Sequence, residues 1–146
     1  MTRPRAQASE LVATIEEAGG RAICFPVIEI AALDQSHVAA NAAQLAAPDM
    51  VIFVSRTAVE YGLGYAAGGK ICAIGPATAA AIRAAGRVVD IEPAKGFDSE
   101  HLLAEPELNS VDGKEIRIVR GSKGRELLAE QLTSRGANVS YLSVYE

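Results

Sequence analysis

With 146 residues, 49% of them hydrophobic and 22% charged, the chain has enough apolar material for one globular domain and part of a second. A formal charge of −4 excludes a general nucleic-acid binder, which carries a basic excess, although local arginines can still hold an acidic ligand. No apolar run approaches the ~20 residues of a membrane span, and Arg3 and Arg5 precede no hydrophobic signal core, so a cytoplasmic location is expected.

Taken in order, Met1–Pro4 reads as the end of a strand. The apolar positions Leu11, Val12, Ile15 and Ala18 then define one helical face that Gly19-Gly20 closes. A short strand is expected over Ala22–Phe25, with an extended continuation over Pro26–Ile30. Asp34–Ala47 reads as an alanine-rich helix with a polar start, stopped by Pro48. From there strands and helices alternate: strand Met50–Val54, helix Arg56–Tyr65, strand Ile71–Ile74, helix Ala77–Ala85, strand Arg87–Ile91. After the loop Pro93–Phe97, Asp98 or Ser99 caps a short helix, Glu100–Ala104. Strand Ile116–Val119, helix Lys123–Ser134 and strand Asn138–Leu142 complete the series. Cys24 and Cys72 both lie in apolar runs without partners at metal-ligand spacing, so both are expected to be buried, reduced thiols.

Five strands with intervening helices predict a doubly wound, parallel α/β sheet of the flavodoxin or Rossmann kind, which binds ligands at the carboxyl ends of its strands. The two ends of the chain also resemble each other. Laid over Arg120–Glu146, the segment Arg3–Glu29 matches at Arg3 and Arg120, Leu11 and Leu128, Gly19 and Gly136, Val27 and Val144, and Glu29 and Glu146. The expected organisation is residues 1–33 as a fragment of a first α/β domain, residues 34–142 as a complete second domain, and residues 143–146 as the start of a returning linker.

Three turns fall on one edge of the proposed sheet: Ser55-Arg56-Thr57, Gly75-Pro76-Ala77-Thr78 and Gly121-Ser122-Lys123-Gly124-Arg125. In the second, four apolar residues end at Gly75, and Pro76 suits the first turn of a helix because it lacks an N–H. Helix N-termini present unpaired N–H groups, and with hydroxyls and arginines nearby they describe a cleft for carboxylates or phosphates. Helix capping alone accounts for polar residues in any one such turn; three on one edge favour a ligand. The third turn is not a P-loop, and no Gly-x-Gly-x-x-Gly fingerprint supports a dinucleotide. His37 and His101 read as helix-surface residues without a nucleophile in a motif. Tyr145 stands out as a candidate proton donor on the exit strand.

The ordered segments Thr2-Arg3-Pro4, Phe53-Val54-Ser55 with Ala58-Val59, Ile74-Gly75-Pro76-Ala77-Thr78-Ala79, Ser99-Glu100 with Leu102-Leu103, Arg120-Gly121 with Gly124-Arg125-Glu126-Leu127-Leu128, and Val144-Tyr145 together resemble uroporphyrinogen-III synthase. The resemblance spans the whole chain. It implies two similar α/β domains joined by a two-stranded linker, the first domain being built from both chain ends. It implies a cyclising hydro-lyase of tetrapyrrole and haem biosynthesis that acts on hydroxymethylbilane, with loss of water and inversion of the last ring. No metal, cofactor, nucleic acid or membrane enters, and the expected state is a monomer. Tyr145 is then the proton donor and Thr78 a second residue important for activity, with Arg3, Pro4, Ser55, Arg56, Gly75, Pro76, Ala77, Gly121, Ser122 and Arg125 facing the substrate. Some relatives carry an arginine where this chain has Thr57. Relatives also continue past the position of Glu146, so the 146 residues alone are expected to fold around the second domain with little synthase activity. Two other classes fit the same residues: a tetrapyrrole-binding or sensory module, and a nucleotide- or phosphosugar-binding α/β enzyme.

Overall fold

The structure, a computed structural model, describes residues 8–27 and 29–146. The strand end expected at Met1–Pro4, with Arg3 and Pro4, lies outside the described residues, as does Ile28. The chain separates into two compact units, Met1–Ala31 and Ala32–Glu146.

In the first unit, helix α1 (Ser9–Glu17) closes on Gly19, whose φ of +78° lies in the left-handed region that glycine enters without a Cβ penalty. The strand expected over Ala22–Phe25 does not form. Alternating apolar residues become a strand only when a neighbouring strand supplies the ladder, and this unit holds one described helix and no described strand. Ile23, Phe25 and Val27 remain 73, 71 and 62% exposed. Cys24 is exposed as well, correcting the expectation of a buried thiol.

The second unit is built on a four-stranded parallel sheet of β1 (Met50–Phe53), β2 (Lys70–Ala73), β3 (Glu115–Gly121) and β4 (Asn138–Tyr145), in the order β2-β1-β3-β4. Helices α2 (Gln35–Gln44), α3 (Arg56–Gly62) and α4 (Pro76–Ala84) precede or follow the first two strands; α5 (Ser99–Leu103) and α6 (Leu127–Ser134) come later. The strands are apolar runs because both faces are covered. Val51, Phe53, Ile71 and Val119 pack with Val38 of α2, Ala58 of α3 and Ile82 of α4. Ile52, Cys72, Ile116 and Ile118 pack on the opposite face with Leu102 of α5 and Leu132 of α6. Full burial of a side chain such as Ile82 or Leu102 contributes roughly 1.5–3 kcal/mol. This is the doubly wound arrangement expected from the sequence.

The segment expected to form a fifth strand, Arg87–Ile91, is reduced to a parallel bridge between Cys72 and Ile91. Asp90 explains the reduction: its carboxylate accepts the Ile71 N–H at 2.7 Å, substituting a side-chain acceptor for a ladder carbonyl. Helix α6 begins at Leu127 instead of Lys123. The Ser122 N–H donates to the Tyr145 carbonyl at 2.8 Å, which ties the exit of β3 to β4 and delays the helix. Strand β4 runs on to Tyr145, where its other side is met by Leu33, whose N–H donates to the Val144 carbonyl at 3.0 Å, and by an antiparallel bridge from Ala32 to Tyr145.

Candidate functional site

The strand register places one edge of the sheet for chemistry. Phe53 is level with Ala73 on one side and Val119 on the other, so β1 and β2 end together and β3 runs two residues further in the same direction. The turns that follow them therefore emerge on one edge, as the sequence predicts. Chain order reverses across β1 and β3, making their carboxyl ends the topological switch point where open α/β sheets bind ligands.

Ser55 caps α3 there, its Oγ accepting the Ala58 N–H at 2.9 Å. The same Oγ lies 3.2 Å from the phenol oxygen of Tyr145. Two features aim the tyrosine. The register between β3 and β4 shifts at Arg120/Gly121, a bulge of the kind that redirects side chains at sheet ends. Gly121 then makes room for the ring: a Cβ at this position would fall 2.7 Å from Cε2 and 2.9 Å from Cζ of Tyr145.

Beside this pair lies a cavity of about 340 Å³, at the small end of the range for ligand sites. Val54, Ile74, Gly121 and Tyr145 form its floor at the strand ends, and Phe97 and Asp98 its opposite lip. Phe97 is 78% exposed, and its backbone presses on Gly75, where a Cβ would stand 2.8 Å from the Phe97 Cα. The wall carries positive charge from Arg120, Lys123 and Arg125.

Arg120 is the buried member of this set. Its Nη1 donates to Glu126 Oε1 at 2.9 Å, and its guanidinium stands 4.7 Å from the ring centre of Tyr141. The Tyr141 hydroxyl donates to the other Glu126 oxygen. The hydrogen bond from Tyr141 and then that from Arg120 hold the Glu126 carboxyl below its ordinary pKa, whereas burial first and Glu126 second push the Tyr141 phenol up. Arg125 is gripped by Glu100 through both terminal nitrogens, at 2.5 and 3.3 Å. Asp98 caps α5 and pairs with His101, whose ring nitrogen is 2.5 Å from its carboxylate.

Of the residues singled out from the sequence, the structure brings Ser55, Gly121, Arg125 and Tyr145 together around or beside the cavity. Thr78, in the first turn of α4, is 4% exposed and does not line it. Arg56, Pro76, Ala77 and Ser122 are exposed and stand outside the lining, and Gly75 contacts the lip from behind. Arg120 and Tyr141 are functional candidates that the sequence reading did not select. Each carries a signal: an arginine at the carboxyl end of an apolar strand, and a tyrosine on the same strand as Tyr145, four positions before it.

A family model described as uroporphyrinogen-III synthase HemD matches residues 9–146. The chain belongs to this family. Uroporphyrinogen-III synthases of Salmonella typhimurium and Escherichia coli are 35 and 32% identical to it over its whole length. A putative uroporphyrinogen-III synthase of Methanothermobacter thermautotrophicus is 31% identical over 99% of the chain. The chain spans 63% of the length of the two bacterial relatives and 60% of the archaeal one. Among solved structures, a mutant uroporphyrinogen III synthase from Thermus thermophilus superposes with a TM-score of 0.72 at 21% identity, over 97% of this chain and 59% of that one. The likeness establishes a shared α/β fold, and Ser55, Gly121 and Tyr145 fall within the residues that the family model matches.

Proposed function

We propose that the protein is a uroporphyrinogen-III synthase, a cyclising hydro-lyase of tetrapyrrole biosynthesis that converts hydroxymethylbilane to uroporphyrinogen III in the cytoplasm as a monomer. The observation that carries this reading is the Tyr145 hydroxyl, paired with Ser55 where Tyr145 lines a cavity that has arginine in its wall. Such a site suits a substrate rich in carboxylates and a reaction that needs one proton and precise positioning.

Ser55 Oγ accepts the Ala58 N–H, and in this reading its own proton goes to the Tyr145 oxygen. That leaves the phenol proton free for the ligand. Tyr145 donates it to the leaving hydroxyl of hydroxymethylbilane; the C–O bond breaks, water departs, and the pyrrole nitrogen's electron pair stabilises the cationic carbon. The last ring attacks this carbon through its substituted position, giving a spiro carbon that holds two methylene bridges. The original bridge bond breaks, and the released methylene, stabilised by its own pyrrole nitrogen, is captured by the free α-carbon of the inverted ring. The proton lost from that carbon as the ring regains aromaticity restores the tyrosine. Ser55 and Gly121 hold the ring of Tyr145, while the nearby arginines orient substrate carboxylates. Thr78, placed behind the site, supports the first turn of α4 in this reading.

The antiparallel contact of Ala32 and Leu33 with Val144 and Tyr145 supports reading these segments as a two-stranded linker, with residues 1–33 opening a first domain and residues 34–142 forming the second. Product analysis of the full-length protein with hydroxymethylbilane tests the function: the III isomer is expected in excess over the I isomer that forms spontaneously. Spontaneous product alone would reject it.

A further inference from the structure

Arg120 and Glu126 form an ion pair that is unequal in its surroundings. The arginine side chain is 8% exposed, and the glutamate, in the loop between β3 and α6, is 54% exposed. The guanidinium is fixed by its strand and by the Tyr141 ring and lines the cavity, whereas its carboxylate partner is half exposed and stands outside the lining. We propose that Arg120 recognises a carboxylate of the ligand, and that Glu126 occupies that binding position until the ligand replaces it; this inference rests on the tetrapyrrole reading above.

Three observations support the exchange. First, a guanidinium offers five N–H donors, and Arg120 turns Nη1 to Glu126. Second, Gly124 leaves the group uncovered. A Cβ there would lie 2.8 Å from Nη2, across the part of the guanidinium that Glu126 does not engage. Third, a buried arginine without a counter-charge is strongly unfavourable. Replacing one carboxylate by another leaves the local charge unchanged, so Glu126 prepares the site without requiring Arg120 to be desolvated alone. Arg125 differs: it is 64% exposed and already held at two points by Glu100, as a rim contact.

A loop clamp with no ligand role predicts the opposite pattern of effects. If Glu126 and Arg120 only fasten the loop, removing either partner disturbs the site in the same direction. If Glu126 competes with the ligand, removing it strengthens binding, and removing Arg120 weakens it.

The test uses the full-length protein, with Glu126→Gln and Arg120→Gln compared in titrations with uroporphyrin, the air-stable oxidised form of the proposed product, alongside KM for hydroxymethylbilane and thermal midpoints. Glu126→Gln is expected to tighten uroporphyrin binding about 2- to 5-fold, the span set by losing a half-exposed ion pair as competitor. Arg120→Gln is expected to weaken it about tenfold by removing a charge-assisted contact. Weaker binding in both variants, or no change in Glu126→Gln, overturns the proposal. Should Arg120→Gln fail to fold, Glu126→Gln alone decides, because losing a competitor and losing a clamp have opposite signs. Uroporphyrinogen III formation by the unaltered protein is measured in parallel: its absence rejects the synthase reading, while the titration still decides the role of Arg120.

Discussion

The phenol oxygen of Tyr145 stands 3.2 Å from the hydroxyl of Ser55, although the residues are 90 positions apart. Parallel pairing through β3 creates this proximity, since β1 and β4 both flank that strand. Ser55 therefore has two tasks, capping α3 and holding the tyrosine. Ser55→Ala is expected to lose about 1 kcal/mol of stability as a cap. It should also lose roughly 10- to 100-fold in kcat, as when a supporting hydrogen bond at a reacting group is removed. Ser55→Thr, which keeps the hydroxyl, should recover most of both. Denaturation midpoints and kcat measured together separate the two effects.

Gly121→Ala addresses the ring itself. Its new Cβ would fall 2.7 Å from Tyr145 Cε2, so the ring must rotate away from Ser55. The expected outcome is a loss of kcat larger than any change in KM, with the β3–β4 pairing retained. A crystal structure of the variant showing Tyr145 in place would contradict this.

Gly75→Ala tests the opposite lip. Gly75 has extended backbone, so the cost comes from contact alone: the Cβ would lie 2.6 Å from Phe97 Cβ and 2.8 Å from its Cα. Overpacking of this kind typically costs about 1–3 kcal/mol. A lower thermal midpoint is expected, with the loop carrying Phe97 displaced.

The pH dependence of stability has a determinant on each side. Burial pushes the Cys72 thiol from 9.0 up to about 12, with Asp90 adding to the effect. The fold favours the protonated thiol, so this contribution is complete below pH 9 and is lost as pH rises from 9 toward 12. Tyr141, raised by burial and by Glu126, acts in the same direction above 10.0. On the acid side Glu126 is lowered from 4.5, so its contribution is present above that value and fades as pH falls below it. Urea midpoints measured against pH should show Cys72→Ala with a flatter alkaline limb from pH 9; an unchanged limb would contradict the assignment.

Much of the second unit was legible because its strands are buried on both faces, so Met50–Phe53 and Ile71–Ala73 appear as apolar runs bounded by turn residues. Arg87–Ile91 has the same apolar look, but the acceptor role of the Asp90 side chain depends on where Ile71 lies in space. The start of α6 was obscured for a similar reason, since Ser122 pairs with the Tyr145 carbonyl across the sheet. The Gly-Pro turn was legible as a helix start, and Pro76 and Ala77 are exposed, but Thr78 is buried and does not line the cavity. Arg120, noted only as part of the repeat and of the family segment, was not selected as a site residue because its partners, Glu126 from a loop and Tyr141 from a neighbouring strand, converge only after β3 and β4 pair.

The central claim is that Tyr145 supplies the proton that releases water from hydroxymethylbilane. Its most direct test is the rate of uroporphyrinogen III formation by full-length Tyr145→Phe, with uroporphyrin binding and the thermal midpoint as controls for folding. The predicted result is a kcat at least about 100-fold lower, within the range of a lost general acid, with binding and midpoint close to those of the unaltered protein. Formation of the III isomer by Tyr145→Phe at the unaltered rate would contradict it.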